Sequence, residues 1–293
     1  MKKKDIVNYL AVFLFLLPAL ALFIGILIAP IIKSAYYSLF DWNGMGEMTF
    51  LGLANYKELF TSKAIGFMKA LGNACILAAL SVFIQLPISL GFALVLGRGV
   101  KGDRPFLSIY FMPVLISTVV IGQLWLKIYN PDYGLLNAAL AKFGVDTTNL
   151  IWLGSKKLAL WAVFVPTLWQ YVGYHMLLMY AGVKGVSPDI REAARIDGAT
   201  EHQVNKYIVI PSIKPIIKVS VIFAVTGSLK SFDLIYVLTN GGPQHATEVP
   251  STRLIEMLFQ RNRFGMGSAI AVMMIILCFA FALLISRAFK END

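Results

Sequence analysis

The sequence predicts an all-α, polytopic membrane protein, a single domain over residues 1–293 that crosses the bilayer as six transmembrane helices. Three observations carry that reading. Hydrophobic residues make up 58% of the chain and charged residues only 14%, a balance far outside that of soluble domains. Six apolar stretches, near 9–31, 69–96, 106–128, 158–181, 213–238 and 266–288, reach the roughly 20 residues that a helix needs to span the hydrocarbon core. Basic residues gather in alternate loops: Lys2-Lys3-Lys4, the Arg98–Arg104 turn, the loop 182–212, and the tail with Arg287 and Lys290. That bias places both termini and the 182–212 loop in the cytoplasm. The net charge of +10 therefore points to anionic lipid headgroups and not to nucleic acid. Cys75 and Cys278 sit in apolar stretches without paired spacing, so neither a disulfide framework nor a metal site is indicated.

The first stretch follows a lysine-rich start and contains Ala19-Leu20-Ala21, which together have the makings of a signal peptide. The apolar run continues to Ile32, however, and reads as an uncleaved first span. The loop from Lys33 to Lys69 carries turn signals at Asp41-Trp42-Asn43-Gly44 and has room for a short interfacial helix. In span two, Asn73 and Gln85 are amides whose natural partners are neighbouring helices. Gly97-Arg98-Gly99-Val100-Lys101-Gly102 spells a dinucleotide-binding glycine pattern, but it follows a membrane span and no βαβ unit encloses it. A tight cytoplasmic turn accounts for those glycines. Span three carries Pro113, Gln123 and Trp125, the last near the outer interface where indoles are common. Asn130 to Asn137 reads as a turn followed by a short amphipathic helix.

Span four is the most informative helix. Thr167, Gln170, Tyr171 and Tyr174 fall at i, i+3, i+4 and i+7 and form one stripe of hydrogen-bonding and aromatic groups. A sugar needs hydroxyl partners and flat rings to stack on, and a stripe of this kind facing a cavity supplies both. Helix packing through the tyrosine hydroxyls is the plainer reading of the same stripe. His175 lies just off it and reads as a packed histidine. In span five, Gly227, Ser228 and Ser231 share a small polar face. Lys230 and Asp233, at i and i+3 on the roughly opposite side, are spaced to pair with each other. Two readings of that pair stand: a structural ion pair or contact to a partner subunit, and a pair that meets substrate hydroxyls. The span ends in a sharp external turn, Thr239-Asn240-Gly241-Gly242-Pro243. The closing loop with Arg261, Arg263 and Phe264-Gly265 faces outside, and span six is a packing helix.

Between spans four and five lies the longest charged segment. Ser187 is placed to cap a helix, Pro188 suits its first position, and Asp189 and Glu192 favour its positive end. Gly198 supplies a left-handed bend, and a second helix from about Thr200 to Ile208 is expected to stop at Pro211. Glu192-Ala193-Ala194, Asp197-Gly198-Ala199, Ile208 and Pro211 resemble the EAA loop of the membrane subunits of binding-protein-dependent ABC importers. Gly52-Leu53-Ala54-Asn55-Tyr56, Asn130 to Asn137 and Thr239 to Pro243 are similar to segments of sugar permeases of that family, the last to the first of the two maltose- and lactose-type permeases.

The resemblance implies a type I ABC importer permease fold in a bacterial cytoplasmic membrane. It implies a permease subunit that forms half of a carbohydrate pathway, the substrate an oligosaccharide, as a heterodimer with a second permease. Two ATPase subunits would carry ATP and Mg, an extracytoplasmic binding protein would deliver the sugar, and this chain would bind no cofactor or metal and catalyse nothing. Glu192, Ala193, Ala194, Asp197, Gly198, Ala199, His202, Asn205 and Pro211 would couple to the ATPase. Positions counted back from Glu192 onto the 167–174 stripe are similar to substrate-contacting ones. One departure stands out: aromatic knobs are common at the positions of His202 and Asn205, which are polar here. The rival functions are a glycerol-phosphate or polyol permease, which for an anionic substrate would want a cation such as Lys230, and an ATP-independent secondary transporter. The latter would more often show inverted repeats with broken helices, and a membrane-embedded enzyme would need a ligand cluster or nucleophile–base pair.

Overall fold

Prolines shape the helices of this protein without ending them. The structure is a computed structural model that describes residues 3–289; Lys2 and Lys290, used in the charge argument, lie outside the described residues. In chain order, α1 (Lys3–Leu22) passes through a π-helical segment, Phe23–Ile28, into α2 (Ala29–Tyr37). The short strands β1 (Phe40–Asp41) and β2 (Thr49–Phe50) form an antiparallel hairpin with Phe40 opposite Phe50. Then come α3 (Ala54–Thr61), α4 (Phe67–Leu80), a π segment Ser81–Gln85, α5 (Leu86–Leu96), α6 (Asp103–Leu115), α7 (Thr118–Ile128) and α8 (Leu135–Lys142). The long α9 (Ala159–Gly185) leads to α10 (Pro188–Ile196), α11 (Glu201–Val204), a π segment Asn205–Val209 and α12 (Ile210–Ser212). The chain closes with α13 (Lys214–Leu229), α14 (Asp233–Thr239), α15 (Pro250–Ile255), a π segment Glu256–Gln260 and α16 (Phe264–Ala288).

Pro30, Pro87 and Pro211 each follow a π-helical segment by two residues. A proline lacks its N–H and its ring crowds the carbonyl four residues back. In each case the residue before the proline donates five residues back, to Ile24, Ser81 and Asn205 respectively, and the widened turn makes room for the ring. Pro211 lies inside its helical run, which was expected to stop there and ends one residue later, at Ser212, before the turn at Ile213.

Among the described residues, four helical segments are long and apolar enough to cross a membrane: Val12–Tyr37, Phe67–Leu96, Lys214–Thr239 and Phe264–Ala288. The stretch expected to form span three is instead α6 and α7, bent by 97° where Ile116 and Ser117 turn extended, and it makes a fifth crossing only if the pair is counted as one. With 27 residues α9 is about 40 Å long, but the polar stripe lowers its apolarity. The expected stretch 158–181 is extended to Gly185.

The chain divides into two compact units. One comprises residues up to Ile65 with Leu254–Ile275. There the Asn55 side chain, 3% exposed, donates to the carbonyls of Ser38 and Phe40, both at 2.9 Å, and fixes α3 against the hairpin. Gly265 is required because a Cβ there would strike the Phe40 carbonyl. Arg263 grips Glu58 with two bonds of 2.8 and 2.6 Å. The hydrogen bond and charge of Arg263 hold the Glu58 carboxyl below its ordinary value.

The second unit, Gly66–Arg253 with the chain from Ile276, has two apolar clusters. One joins Leu77, Ile121, Phe164, Leu229 and Ile235. The other joins Leu86, Met179, Val183, Val204 and Ile213. Asn73 donates to the carbonyls of Ala246 and Glu248, so the amide expected to serve packing ties α4 to the turn after α14. Gly173 lets α9 meet α6 closely: a Cβ there would run into the Tyr110 carbonyl.

Candidate functional site

A cavity of about 340 Å³ lies within the second unit. Its lining falls between the two apolar clusters along each helix: Ser81 and Gln85 between Leu77 and Leu86, and Gln170 to Tyr174 between Phe164 and Met179. Thr167, Gln170, Tyr171 and Tyr174 of α9 all line it, as do Gly227 and Ser228 of α13 and Ser231 beyond its end. The stripe divides its work. Gln170 is 3% exposed and donates toward the Pro113 carbonyl at 3.4 Å, a packing contact, whereas Tyr171 is 42% exposed. His175 is buried beside it, its ring edge-on to Tyr174, and its Nδ1 has no hydrogen-bond partner among the described residues.

Lys230 and Asp233 require a correction. They line the same cavity as the serine face, and no ion pair joins them among the described residues. The helical i, i+3 rule fails because α13 ends at Leu229 and α14 begins at Asp233, with Phe232 between them at φ −144° and ψ −63°. Asp233 comes within electrostatic range of the Tyr171 hydroxyl, and Lys230 within range of the Cys278 thiol. Also on the wall are Ser81, Gln85, Thr118, Phe223, Thr226 and Phe232, which the sequence reading did not assign to a site. Phe223 and Gly227 on α13 and Lys230 at its C-cap fall at i, i+4 and i+7, a periodicity that could have revealed part of this face.

Three hydroxyls of the wall are committed as donors to their own helices. Thr167 donates to the Val163 carbonyl at 2.8 Å, Thr226 to Ile222 at 2.7 Å and Ser228 to Ala224 at 2.7 Å. Gln85 donates to the Leu168 carbonyl at 2.6 Å and Ser89 to the Val172 carbonyl at 2.9 Å, which locks α5 to α9.

The 182–212 loop is built as a capped helix–bend–helix. Ser187 occupies the N-cap position of α10 but makes no side-chain cap bond, so Pro188 at the helix start is what the sequence pattern contributes there. At the other end Gly198 sits at φ +84°, and the amides of Ala199 and Gly198 bond back to the carbonyls of Ala194 and Arg195. This is a Schellman closure, and it needs a left-handed residue at that position. Thr200 and Gln203 form a reciprocal capping box at the start of α11, legible in the sequence as Thr-x-x-Gln. Ala194 and Ala199 pack on the Met179–Ile213 cluster, while Glu192, Ala193, Asp197, His202 and Pro211 are exposed and Asn205 is half-buried. The large exposed apolar side chains of the loop are Ile190, Ile196 and Tyr207, at 55%, 80% and 65%.

Electrostatic contacts attach this loop to the cavity helices. Arg191 donates to the carbonyls of Val183, near the end of α9, and Gly97, after α5. Glu201 bonds to Arg195 at 2.6 Å and approaches Arg98 at 3.7 Å. The Arg195 hydrogen bond leads in holding the Glu201 carboxyl below its ordinary value. Gly99 and Gly102, at φ +78° and +89°, make the expected tight turn beside it.

Residues 85–289 match the family described as binding-protein-dependent transport system inner membrane component. The chain belongs to that family. It is 37% identical, over 97% of its length and 98% of the relative's, to a probable ABC transporter permease of Bacillus subtilis. It is 31% identical to the diacetylchitobiose uptake system permease of Streptomyces coelicolor, over 91% of this chain and 78% of that one. A solved structure of a bacterial ABC transporter involved in import of the acidic polysaccharide alginate shares the fold, with a TM-score of 0.84 at 22% identity over 99% and 98% of the two chains. The fold is thus that of a type I ABC importer permease, a mostly helical membrane protein. The segment that resembles an EAA loop is α10–α12, inside the matched residues.

Proposed function

We propose that this permease forms half of the translocation pathway of an ATP-driven oligosaccharide importer. A second, unlike permease completes the pathway, two ATPase subunits hydrolyse Mg-bound ATP, and an extracytoplasmic binding protein delivers the sugar. The observation that carries the reading is the cavity itself: hydroxyl, amide and aromatic groups from the Ser81–Gln85 segment, α9 and α13 converge on it, and Arg191 ties α9 to the EAA loop. Sugar chemistry asks for that mixture of ring faces and hydrogen-bonding groups. The Streptomyces relative, named for a disaccharide, supports the same class.

In this reading the chain makes six crossings, α6–α7 serving as the third and α9 as the fourth, with both termini and the EAA loop in the cytoplasm. The ATPases grip the loop through Ile190, Ile196 and Tyr207, in place of aromatic groups at His202 and Asn205. Closure of the ATPases moves α10, and Arg191 passes the movement to α5 and α9. Because nucleotide and sugar bias one conformational equilibrium, each changes the affinity for the other.

The test is ATP hydrolysis by the co-purified complex in lipid nanodiscs, with its binding protein, across a panel of mono- and oligosaccharides. One oligosaccharide is expected to raise the rate, and Tyr171→Ala is expected to raise the concentration at which it does so. Transport driven by an ion gradient, with no ATPase co-purifying, would overturn the reading. An anionic substrate such as glycerol phosphate is the second reading, since Lys230 stands on the wall; Asp233 on the same wall opposes it.

A further inference from the structure

We propose that Asp233 is the specificity residue of this cavity, its carboxylate accepting hydrogen bonds from neighbouring hydroxyls of a neutral sugar and repelling sugars that carry carboxylates. The inference rests on the oligosaccharide reading above and deepens it. A carboxylate at membrane depth is costly unless it is paired or faces water and serves a function. Asp233 is the first residue of α14, immediately after the Lys230–Phe232 interruption, and it is exposed on the cavity wall with no ion-pair partner among the described residues. Interrupted helices in transporters are tolerated where they line a substrate cavity.

Five further groups of the wall agree with this assignment, while Thr118, Tyr171, Tyr174, Ser231 and Lys230 line it as donors that make no side-chain hydrogen bond among the described residues. Thr167, Thr226 and Ser228 spend their hydroxyl hydrogens on their own helices, and Gln85 and Gln170 each direct their NH₂ at a backbone carbonyl. What these groups offer a ligand is mainly oxygen lone pairs. A neutral sugar, whose hydroxyls both donate and accept, is complementary to such a wall: to these oxygens and the Asp233 carboxylate as a donor, and to the remaining hydroxyls as an acceptor. A uronate or a phosphate brings only acceptors at its charged end, and it finds there a second carboxylate. Lys230 stands on the same wall and balances the charge of Asp233 without pairing with it among the described residues.

The experiment is equilibrium binding to the full complex of both permeases and both ATPases in nanodiscs, trapped with ADP and vanadate and without binding protein, whose own selectivity would mask that of the cavity. The probes are maltose and N,N′-diacetylchitobiose, singly deoxygenated versions of each, and the corresponding 6-carboxylates. The wild type should bind at least one of the neutral disaccharides and bind its carboxylate analogue at least about tenfold more weakly. A hydrogen bond to a charged group corresponds to roughly a tenfold to hundredfold change in affinity. Asp233→Asn should weaken neutral-sugar binding by about that factor, close the gap to the carboxylate analogue, and remove the penalty for deleting one particular hydroxyl. Asp233→Glu should retain the discrimination. Co-purification of the ATPases with each variant reports that it is folded. If Asp233→Asn shows wild-type discrimination and the same deoxygenation penalties, the assignment is wrong while the sugar reading survives. If the wild-type complex binds none of the disaccharides, the sugar reading and the assignment fall together.

Discussion

Replacing Gly198 isolates the backbone geometry of the EAA loop from every other effect. The residue sits at φ +84°, and a Cβ added there would meet nothing within 4 Å, so a substitution is strained without any clash. A left-handed conformation costs a residue with a Cβ roughly 1–2 kcal/mol, less for asparagine and more for a β-branched side chain. That penalty acts on the two amide bonds that close α10, Ala199 to Ala194 at 2.9 Å and Gly198 to Arg195 at 3.0 Å. A shift of 1–2 kcal/mol changes the population of the bent loop by a factor of about 5–30. Gly198 itself is exposed, so under the coupling role proposed above the cost falls on the bend that the ATPases would grip and leaves the membrane helices intact. Sugar uptake into proteoliposomes, normalised to reconstituted permease, should therefore rank Gly198→Asn nearest wild type, Gly198→Ala intermediate and Gly198→Val lowest. Wild-type uptake by Gly198→Val, or equal losses in the asparagine and valine variants, would refute the reasoning.

Three further outcomes are expected. Gly173→Ala should lower the thermal unfolding midpoint in detergent, by overpacking worth about 1–3 kcal/mol, because the new methyl meets the Tyr110 backbone; Gly72→Ala, which meets nothing within 4 Å, is the control. Glu248→Ala should cost about 3–5 kcal/mol, since Glu248 and Arg253 are 4% and 3% exposed and paired at 2.7 Å, whereas Arg261→Ala at the surface should change stability by less than about 1 kcal/mol; comparable shifts of the two unfolding midpoints would contradict this. The Glu58–Arg263 pair lowers the folded-state pKa of Glu58 from its ordinary 4.5. Its contribution is therefore full above pH 4.5 and declines as the pH falls through the lowered folded value. Wild type should lose more stability than Glu58→Gln between neutral and acidic pH, and parallel pH profiles for the two would contradict the pairing.

What the sequence determined by itself was whatever depends on spacing along one helix. The apolar lengths, the 167–174 stripe, the Pro188 start and the Gly198 bend follow from side-chain periodicity and backbone sterics that need no distant partner. The Thr200–Gln203 capping box belonged to the same class and was readable. The places where a regular helix gives way were not readable. A proline in the sequence says that a carbonyl loses its donor, but whether the helix stops, as expected at Pro211, or widens into a π turn and continues is settled by packing of Val204 and Val209 in the cluster around Met179. The same holds for the 97° bend at Ile116–Ser117 and for the Lys230–Phe232 interruption. On a continuous helix Lys230 and Asp233 would turn from the serine face toward each other; once the helix is broken they share the cavity. Only the tertiary structure brings Arg191 to the carbonyls of Val183 and Gly97, and Tyr110 against Gly173, because contacts between residues far apart in the chain depend on how whole helices dock. Sequence periodicity decides which face a helix offers, and close packing between helices decides what that face meets.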